Sequence, residues 1–303
     1  VAFATQFLAA TIRTATPLLF AGLGETLAEQ AGIINVGLEG IMITGALGAL
    51  LGSSVGGVMS GFIVAALSGA VVAAVFAVFA TGLHADQIVT GTAITLAGFG
   101  LTGTVYRWTY GATGAALSIP TMHSVAVAGL SAIPVIGPAL FDQPSVTYVG
   151  YLLVPLLWWW TYRTHAGLAL RAVGQNPAAA RAAGVSPRAV QYTATIVGGV
   201  LGGIAGGILV LAQVGTFAEG MTAGRGFIAI AIVALGHWHP IGAAVAALAF
   251  GAVSALQYVF QAMGWHIPYQ LFLAVPYAAT LIALATMRAR RAPAMLGIQE
   301  KGE

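Results

Sequence analysis

Nine apolar stretches dominate this chain, near residues 3–23, 37–55, 58–82, 88–106, 147–162, 190–212, 224–238, 240–262 and 269–287. A helix needs about 20 apolar residues to cross the roughly 30 Å hydrocarbon core of a bilayer. Most of the stretches meet that length, and 147–162 and 224–238 are short. Only 6% of the 303 residues are charged, 59% are hydrophobic, and the mean hydropathy is +0.93. A soluble domain carries about 25% charged residues, so this chain could not cover a surface in water. The expected fold is all-α: a polytopic integral membrane helical bundle of about nine transmembrane segments with broken helices, one membrane domain over 1–303.

Composition removes several functions. The apolar excess excludes disorder. There is no cysteine, hence no disulfide scaffold, thiolate zinc site or cysteine nucleophile. The net charge is only +3 and the arginines sit in short loops, which argues against nucleic acid as a partner. The one lysine is Lys301, so a phosphate-binding loop of the G-x-x-x-x-G-K-[ST] type cannot form. If ATP drives this protein, another chain binds it. His84, His123, His165 and His266 are scattered at the ends of apolar segments. His237 and His239 are two apart, which does not place them on one helix face. No Ser-His-Asp or paired-carboxylate arrangement exists, so no catalytic residue, metal or cofactor is expected and the chain is not an enzyme. No basic region and cleavage site mark the first apolar segment as a signal peptide, and it is expected to stay.

The arginines set the orientation. Arg163, Arg171, Arg181 and Arg188 share one loop without an acidic residue, and Arg288, Arg290 and Arg291 follow the last apolar segment. Cytoplasmic loops collect such charge, and both regions are expected there. An even number of crossings must join them, so 224–238 has to cross despite its length. Loop 107–146 and the first residue are then outside. Tyr106, Trp108 and Tyr110 would mark an outer interface, and Trp158, Trp159 and Trp160 an inner one.

Glycine supplies 41 residues. Gly198, Gly202 and Gly206 form one i, i+4 row, and Gly199, Gly203 and Gly207 form a second beside it. Small residues let helix backbones approach closely in a membrane. The rows predict tight intramolecular packing first, and a subunit interface as the alternative.

Two polar interruptions stand out. Residues 24–40 carry three of the eight acidic residues, Glu25, Glu29 and Glu39, with glycines at 32, 37 and 40. Residues 213–227 repeat the theme with Gly215, Glu219, Gly220, Gly224 and Arg225 before an apolar helix. Broken helices are tolerated where they line a cavity or pack on protein, and paired interruptions point to a transporter's substrate path. Glu219 and Arg225 are near enough in sequence to pair. Candidate pathway residues are Asn35, Glu39, Gln213, Phe217, Gln257 and Gln261. The last two are i, i+4 on one helix face, where a helix–helix hydrogen bond explains them equally well.

The loop 163–189 predicts a short helix over 177–183. Asn176 suits the N-cap, Pro177 the first helical position and Gly184 the stop. A helix this short is unstable alone in water, so it must dock, either on its own membrane domain or on a cytoplasmic partner.

The stretches Gly24-Glu25-Thr26 and Ala31 through Met42 resemble the signature of ABC-importer permeases of the ribose and branched-chain amino acid class, most of all the nucleoside (guanosine-type) importer branch. Ala172 through Pro177 with Ala182-Ala183-Gly184-Val185 is similar to that family's coupling segment. Gly224 through Ala231 and Gly236 through Gly242 are similar to its next block. The likeness runs over about 20–290. It departs at His237 and Trp238, where the family typically has a basic or small residue.

The resemblance implies a permease subunit in a bacterial or archaeal inner membrane. Its partners would be an ATP-binding subunit whose two nucleotide-binding domains can be fused, a second and often non-identical permease, an extracytoplasmic substrate-binding protein, and the lipid bilayer. Asn176, Pro177, Arg181 and Gly184 would form the coupling helix and its ends. Substrate, a nucleoside or alternatively a simple sugar, would cross by alternating access driven by the ATPase. A different class, an ion-coupled secondary transporter, would need a titrating intramembrane carboxylate, with Glu39 first and Glu25 and Glu29 next. A non-transporting scaffold would explain the glycine rows but not the paired interruptions.

Overall fold

Ten helices and one small hairpin order the described part of a computed structural model, which covers residues 2–111, 119–262, 278, 281, 285 and 292–298, without the side chains of 2 and 257–262. The apolar stretch at 269–287 and Arg288, Arg290 and Arg291 lie outside the described residues, apart from 278, 281 and 285.

Helix α1 (Ala2–Gln30) carries the first apolar stretch seven residues beyond its predicted end at 23, taking Glu25 and Glu29 into the helix. Helix α2 (Leu38–Ala77) is folded on itself: Gly56 and Gly57 leave the helical region, and Gly57 has φ 74°. Its arms, 38–55 and 58–77, run antiparallel. Gly48 faces Val64 and Ser68, Gly52 faces Ser60 and Val64, and Gly61 faces Ala49. The two predicted stretches at 37–55 and 58–82 are these arms, the second extended by a π-helical turn over Val78–Gly82. Helix α3 (Gln87–Tyr110) starts where Asp86 accepts from the amides of Ile88 and Val89, each at 2.9 Å.

The predicted outer loop holds a hairpin of β1 (Ser124–Ala126) and β2 (Asp142–Pro144), antiparallel with Val125 opposite Gln143, and a short helix α4 (Ile136–Phe141) between them. Helix α5 (Ser145–Arg163) leads to α6 (His165–Gln175), α7 (Pro177–Ala182) and α8 (Pro187–Ile208), which a π-helical turn extends to Val214. Helices α9 (Arg225–Leu235) and α10 (Pro240–Ala262) complete the described part. Among the described residues, four helices are long and apolar enough to cross a membrane: Phe3–Gln30, Leu38–Gly82, Gln87–Tyr110 and Pro187–Val214.

Helix α8 is the axis of the bundle, and its glycine rows explain why. A Cβ on Gly198 would press on Gly24 of α1, and one on Gly202 on Leu38 and Ile41. One on Gly206 would overlap the carbonyl of Met42 on the first arm of α2. The neighbouring row, Gly199, Gly203 and Gly207, faces the second arm at Gly69, Ala73 and Ala65. The rows thus serve intramolecular packing, each against a different neighbour. The largest buried side chains around them include Phe20, Leu23, Leu38, Met42, Ile208 and Leu209.

Helix α9 spans 11 residues, about 16 Å of rise, half a hydrocarbon core. The segment that precedes it completes the length. It leaves α8 near Ile119, where the Ile119 amide donates to Gly215 O at 2.9 Å. It passes Arg107 at the end of α3 and then enters the bundle. Helix α9 ends beside Gln30, at the same end of the molecule as α7. The stretch predicted to cross at 224–238 is therefore a half-helix joined to an irregular strand of chain.

Candidate functional site

Two helix N-termini meet on one buried carboxylate. Glu39 lies in the first turn of α2 and is 1% exposed. Its Oε1 accepts from the Thr222 hydroxyl and from the Gly224 amide at 2.8 Å, and its Oε2 accepts from the Gly226 amide at 2.6 Å. Gly224 has φ 78° and gives α9 no side-chain cap of its own. Glu39 supplies that cap from another helix, 187 residues away in the chain at Gly226. The first amides of a helix carry partial positive charge and lack internal partners, so a carboxylate there is satisfied even inside a membrane. The fit is close: a Cβ on Gly226 would run into the Glu39 backbone.

The irregular segment 31–37 reaches this point from the end of α1. The Asn35 amide donates to Glu25 Oε1 at 2.8 Å, and the Ile34 amide to Gln87 Oε1 at 2.8 Å. Asn35 is 1% exposed, and its side-chain oxygen has no protein partner. Gly37 and Gly40 let α3 close over the segment at Gly91, Ile94 and Thr95. The break is narrower than residues 24–40 suggested, because Glu25 and Glu29 stay helical. Backbone hydrogen bonding is satisfied locally by side chains from α1 and α3.

The remaining pathway candidates lie apart. Phe217 is buried, with its ring 5.1 Å from that of Tyr106, which also meets Tyr110 at 5.4 Å. Gln213 is exposed, and its Nε2 donates to the Arg13 carbonyl at 2.7 Å. Arg13 in turn donates from Nε to Gln143 Oε1 at 3.3 Å. Gln257 and Gln261 fall on the backbone of α10, but their side chains lie outside the described residues. The structure therefore joins Asn35 and Glu39 in one broken region and places Phe217 and Gln213 toward the hairpin end.

Glu219 does not pair with Arg225. It reaches across to Arg107 at 3.1 Å, both side chains being about half exposed, at 48% and 55%. Arg225 instead turns back, its Nη1 donating to the carbonyls of Met221 at 2.9 Å and Thr222 at 3.1 Å. The left-handed turn at Gly224 places Arg225 at the start of α9, over the preceding turn rather than toward Glu219.

At the opposite end, α7 forms as its sequence dictates. Asn176 Oδ1 accepts from the Ala179 amide at 2.9 Å, Pro177 takes the first helical position, and Gly184 has φ 84°. Pro177 and Ala180 are buried, while Ala178, Ala179 and Arg181 are exposed. A cavity of about 820 Å³ opens beside the helix, lined by Arg181, Gly184, Arg188, His84 and Gln87 among others. The segment 293–298 forms part of its wall: the Met295 amide donates to Gly174 O at 3.0 Å and the Gly297 amide to Gly32 O at 3.2 Å. Among the described residues no three His, Asp or Glu side chains converge as a metal site requires.

Sequence reasoning missed Thr222, Gly224 and Gly226 as partners of Glu39. It also missed the indole of Trp238, which donates to Glu29 Oε2 at 2.6 Å, and Gln30, whose amide donates to the Trp238 carbonyl. The separations exceed 180 residues, so no local spacing could reveal them. The one available signal was that buried carboxylates without a nearby cation need donors from somewhere.

The comparisons agree with this architecture. Residues 7–284 match the family model described as the branched-chain amino acid transport system / permease component. The chain is 38% identical to the "Putative glucose ABC transporter permease protein TsgC13" of Haloferax volcanii, over 84% of this chain and 78% of that one. It is 36% identical to the nucleoside ABC transporter permease protein NupC of Lactococcus lactis subsp. cremoris, over 89% and 88% of the two chains. It is 32% identical to the guanosine ABC transporter permease protein NupQ of Bacillus subtilis, over 91% and 89%. No solved structure matches it.

Proposed function

Because the chain belongs to the family of branched-chain amino acid transport permease components, we propose that it is the membrane subunit of a nucleoside importer driven by a separate ATPase. A permease of an ABC transporter works with an ATPase and a substrate-binding partner. The observation that carries the proposal is α7: a capped helix with Ala178, Ala179 and Arg181 exposed beside an open cavity. A helix of six residues held at both ends and exposed on one face suits insertion into a partner. The partner must also supply the phosphate-binding loop that this chain cannot form.

Residues 163–189 then act as the coupling loop of a single permease domain, on the cytoplasmic side of a bacterial or archaeal inner membrane. A second, non-identical permease completes the core, and an extracytoplasmic binding protein delivers substrate at the hairpin end. Within this chain, Gln213 and the Tyr106–Phe217 aromatics suit a solute with polar edges and a flat face. Asn35 and Glu39 hold the broken segments that border the route. Motion enters at α7 and switches the helices between two packed arrangements.

Two relatives named for nucleosides support the substrate. A simple sugar is the second reading, favoured by the relative named for glucose at 38% identity. An ion-coupled mechanism through Glu39 is disfavoured by its oxygens already accepting from three protein donors.

The test is gentle-detergent purification from the native membrane, with mass spectrometry of the co-purifying chains, then uptake of tritiated guanosine by the reconstituted complex. Recovery of an ATPase and a different permease is expected, with uptake that needs ATP and is competed by unlabelled nucleosides. ATP-dependent uptake of labelled glucose without uptake of guanosine would move the substrate to sugars. An intact protein without any ATPase would remove the importer reading.

A further inference from the structure

The turn between α9 and α10 holds two residues in a backbone conformation that bulky side chains avoid. His237 and Trp238 both have φ 55°. Neither is glycine, and each carries the steric cost of the left-handed region. Local hydrogen bonds shape the turn, with the Trp238 amide donating to Val233 O and the His239 amide to Gly236 O. They do not explain why a tryptophan stands there.

Its partners do. Trp238 is 7% exposed and is gripped at two points by the end of α1. Its indole N–H donates to Glu29 Oε2 at 2.6 Å, and its carbonyl accepts from the Gln30 amide. The next residue, His239, lies with its ring 5.0 Å from that of Tyr162 on α5. On Tyr162 rests the guanidinium of Arg171 from α6, 4.7 Å from the ring centroid. Arg171 precedes Asn176, the N-cap of α7, by five residues. The turn therefore touches α1 through polar contacts and loop 163–189 through the tilted His239–Tyr162 ring pair and the Arg171 guanidinium over Tyr162.

Helix α9 runs from this turn to the Glu39 clasp in the middle of the bundle. It is a short rod fixed at both ends by hydrogen bonds. A strained turn held by a few contacts has two states available: gripped, as here, or released with the strain relieved. Glu29 Oε1 and Arg171 Nε are buried without a protein partner in this state, which leaves each with a contact still to make.

We propose that Trp238 is a positioning residue, an inner lock that ties α9 to α1 and is released when a partner displaces α6 and α7. The inference rests on the importer-permease reading. Locking and release would pass motion from the coupling helix along α9 to the broken segments around Glu39.

The experiment uses the permease with its co-purified ATPase and binding protein in proteoliposomes, with tritiated guanosine as probe. Uptake and ATP hydrolysis are measured together for wild type, Trp238→Phe, Glu29→Ala and Glu29→Gln. The phenylalanine keeps the ring and loses the N–H, and the glutamine keeps an oxygen that accepts it. Trp238→Phe and Glu29→Ala are expected to assemble and to lower uptake per ATP hydrolysed about tenfold. Glu29→Gln is expected to stay within about twofold of wild type. A merely structural role would lower thermal stability and leave the ratio alone. An unchanged ratio in both Trp238→Phe and Glu29→Ala overturns the lock. If Trp238→Phe fails to assemble, the contrast between Glu29→Ala and Glu29→Gln decides. If wild type takes up labelled glucose in place of guanosine, the same ratio is measured with glucose; wild type with ATP-driven uptake of neither overturns the importer reading, and the lock with it.

Discussion

Helices α8 and α9 follow each other in the chain and are held in opposite ways. Helix α8 packs backbone to backbone, with glycine after glycine lying where any Cβ would strike α1 or α2. Helix α9 is held at its ends, by Glu39 at one and by the turn around Trp238 at the other. Close packing distributes attraction over many small contacts and has no single release point. Hydrogen bonds at two ends can be broken and remade as discrete events.

The largest effect should come from breaking the axis. Gly206→Leu puts a branched side chain where even a Cβ would overlap the Met42 carbonyl. Overpacking of this kind costs about 1–3 kcal/mol or more, and with backbone as the obstacle the upper end applies. Size-exclusion chromatography of the detergent-solubilised variant should show loss of the folded peak. A folded variant of normal thermal stability would mean that α8 and α2 can separate after all.

Next comes the Glu39 clasp at the N-terminus of α9. Glu39→Ala removes the acceptor for the Thr222 hydroxyl and the Gly224 and Gly226 amides. Each unsatisfied buried donor costs about 1–3 kcal/mol. Uptake should be abolished, with partial activity in Glu39→Gln, which keeps one acceptor oxygen. Substantial uptake by the alanine variant would show that α9 needs no anchor at its N-terminus.

Arg181→Glu and Gly184→Pro test α7 as the docking site of the ATPase. Proline cannot adopt the φ of 84° seen at Gly184, and Arg181 lies on the exposed side of α7. Pull-down of the ATPase should weaken about tenfold in either variant, a coupling of ordinary size for such contacts. Thermal stability of the membrane domain should hold. Normal ATPase recovery with both variants would remove α7 from the interface.

The smallest effect is expected at the Glu219–Arg107 pair. With both side chains about half exposed, at 48% and 55%, the pair is worth about 0–1 kcal/mol. Glu219→Gln should leave uptake within about twofold of wild type. A large loss would reveal that the segment before α9 is held more tightly at its outer end than these contacts suggest.

Legibility in the sequence followed the range of the interactions. Helix α7 was readable to within one residue of its end, because Asn176, Pro177 and Gly184 act on neighbours within a few residues. Segments 58–82 and 240–262 coincide with helical stretches because hydrophobic length fixes them. The end of α1 was misjudged by seven residues, since Glu25 and Glu29 look like loop residues until their partners are known. The Glu219–Arg225 pairing was a local guess that Arg107, 112 residues from Glu219, displaced.

The sequence by itself determined that this chain lives in a membrane, that α8 packs through glycine, and that a short capped helix follows Asn176. Those follow from solvent preference, side-chain size and local hydrogen bonding, which each residue carries with it. Only the tertiary structure decided that α9 is half a crossing. It alone decided that Glu39 caps α9 and that Trp238 answers to Glu29 and Gln30. A buried polar group must find a partner somewhere, but the chain's path through space selects which one.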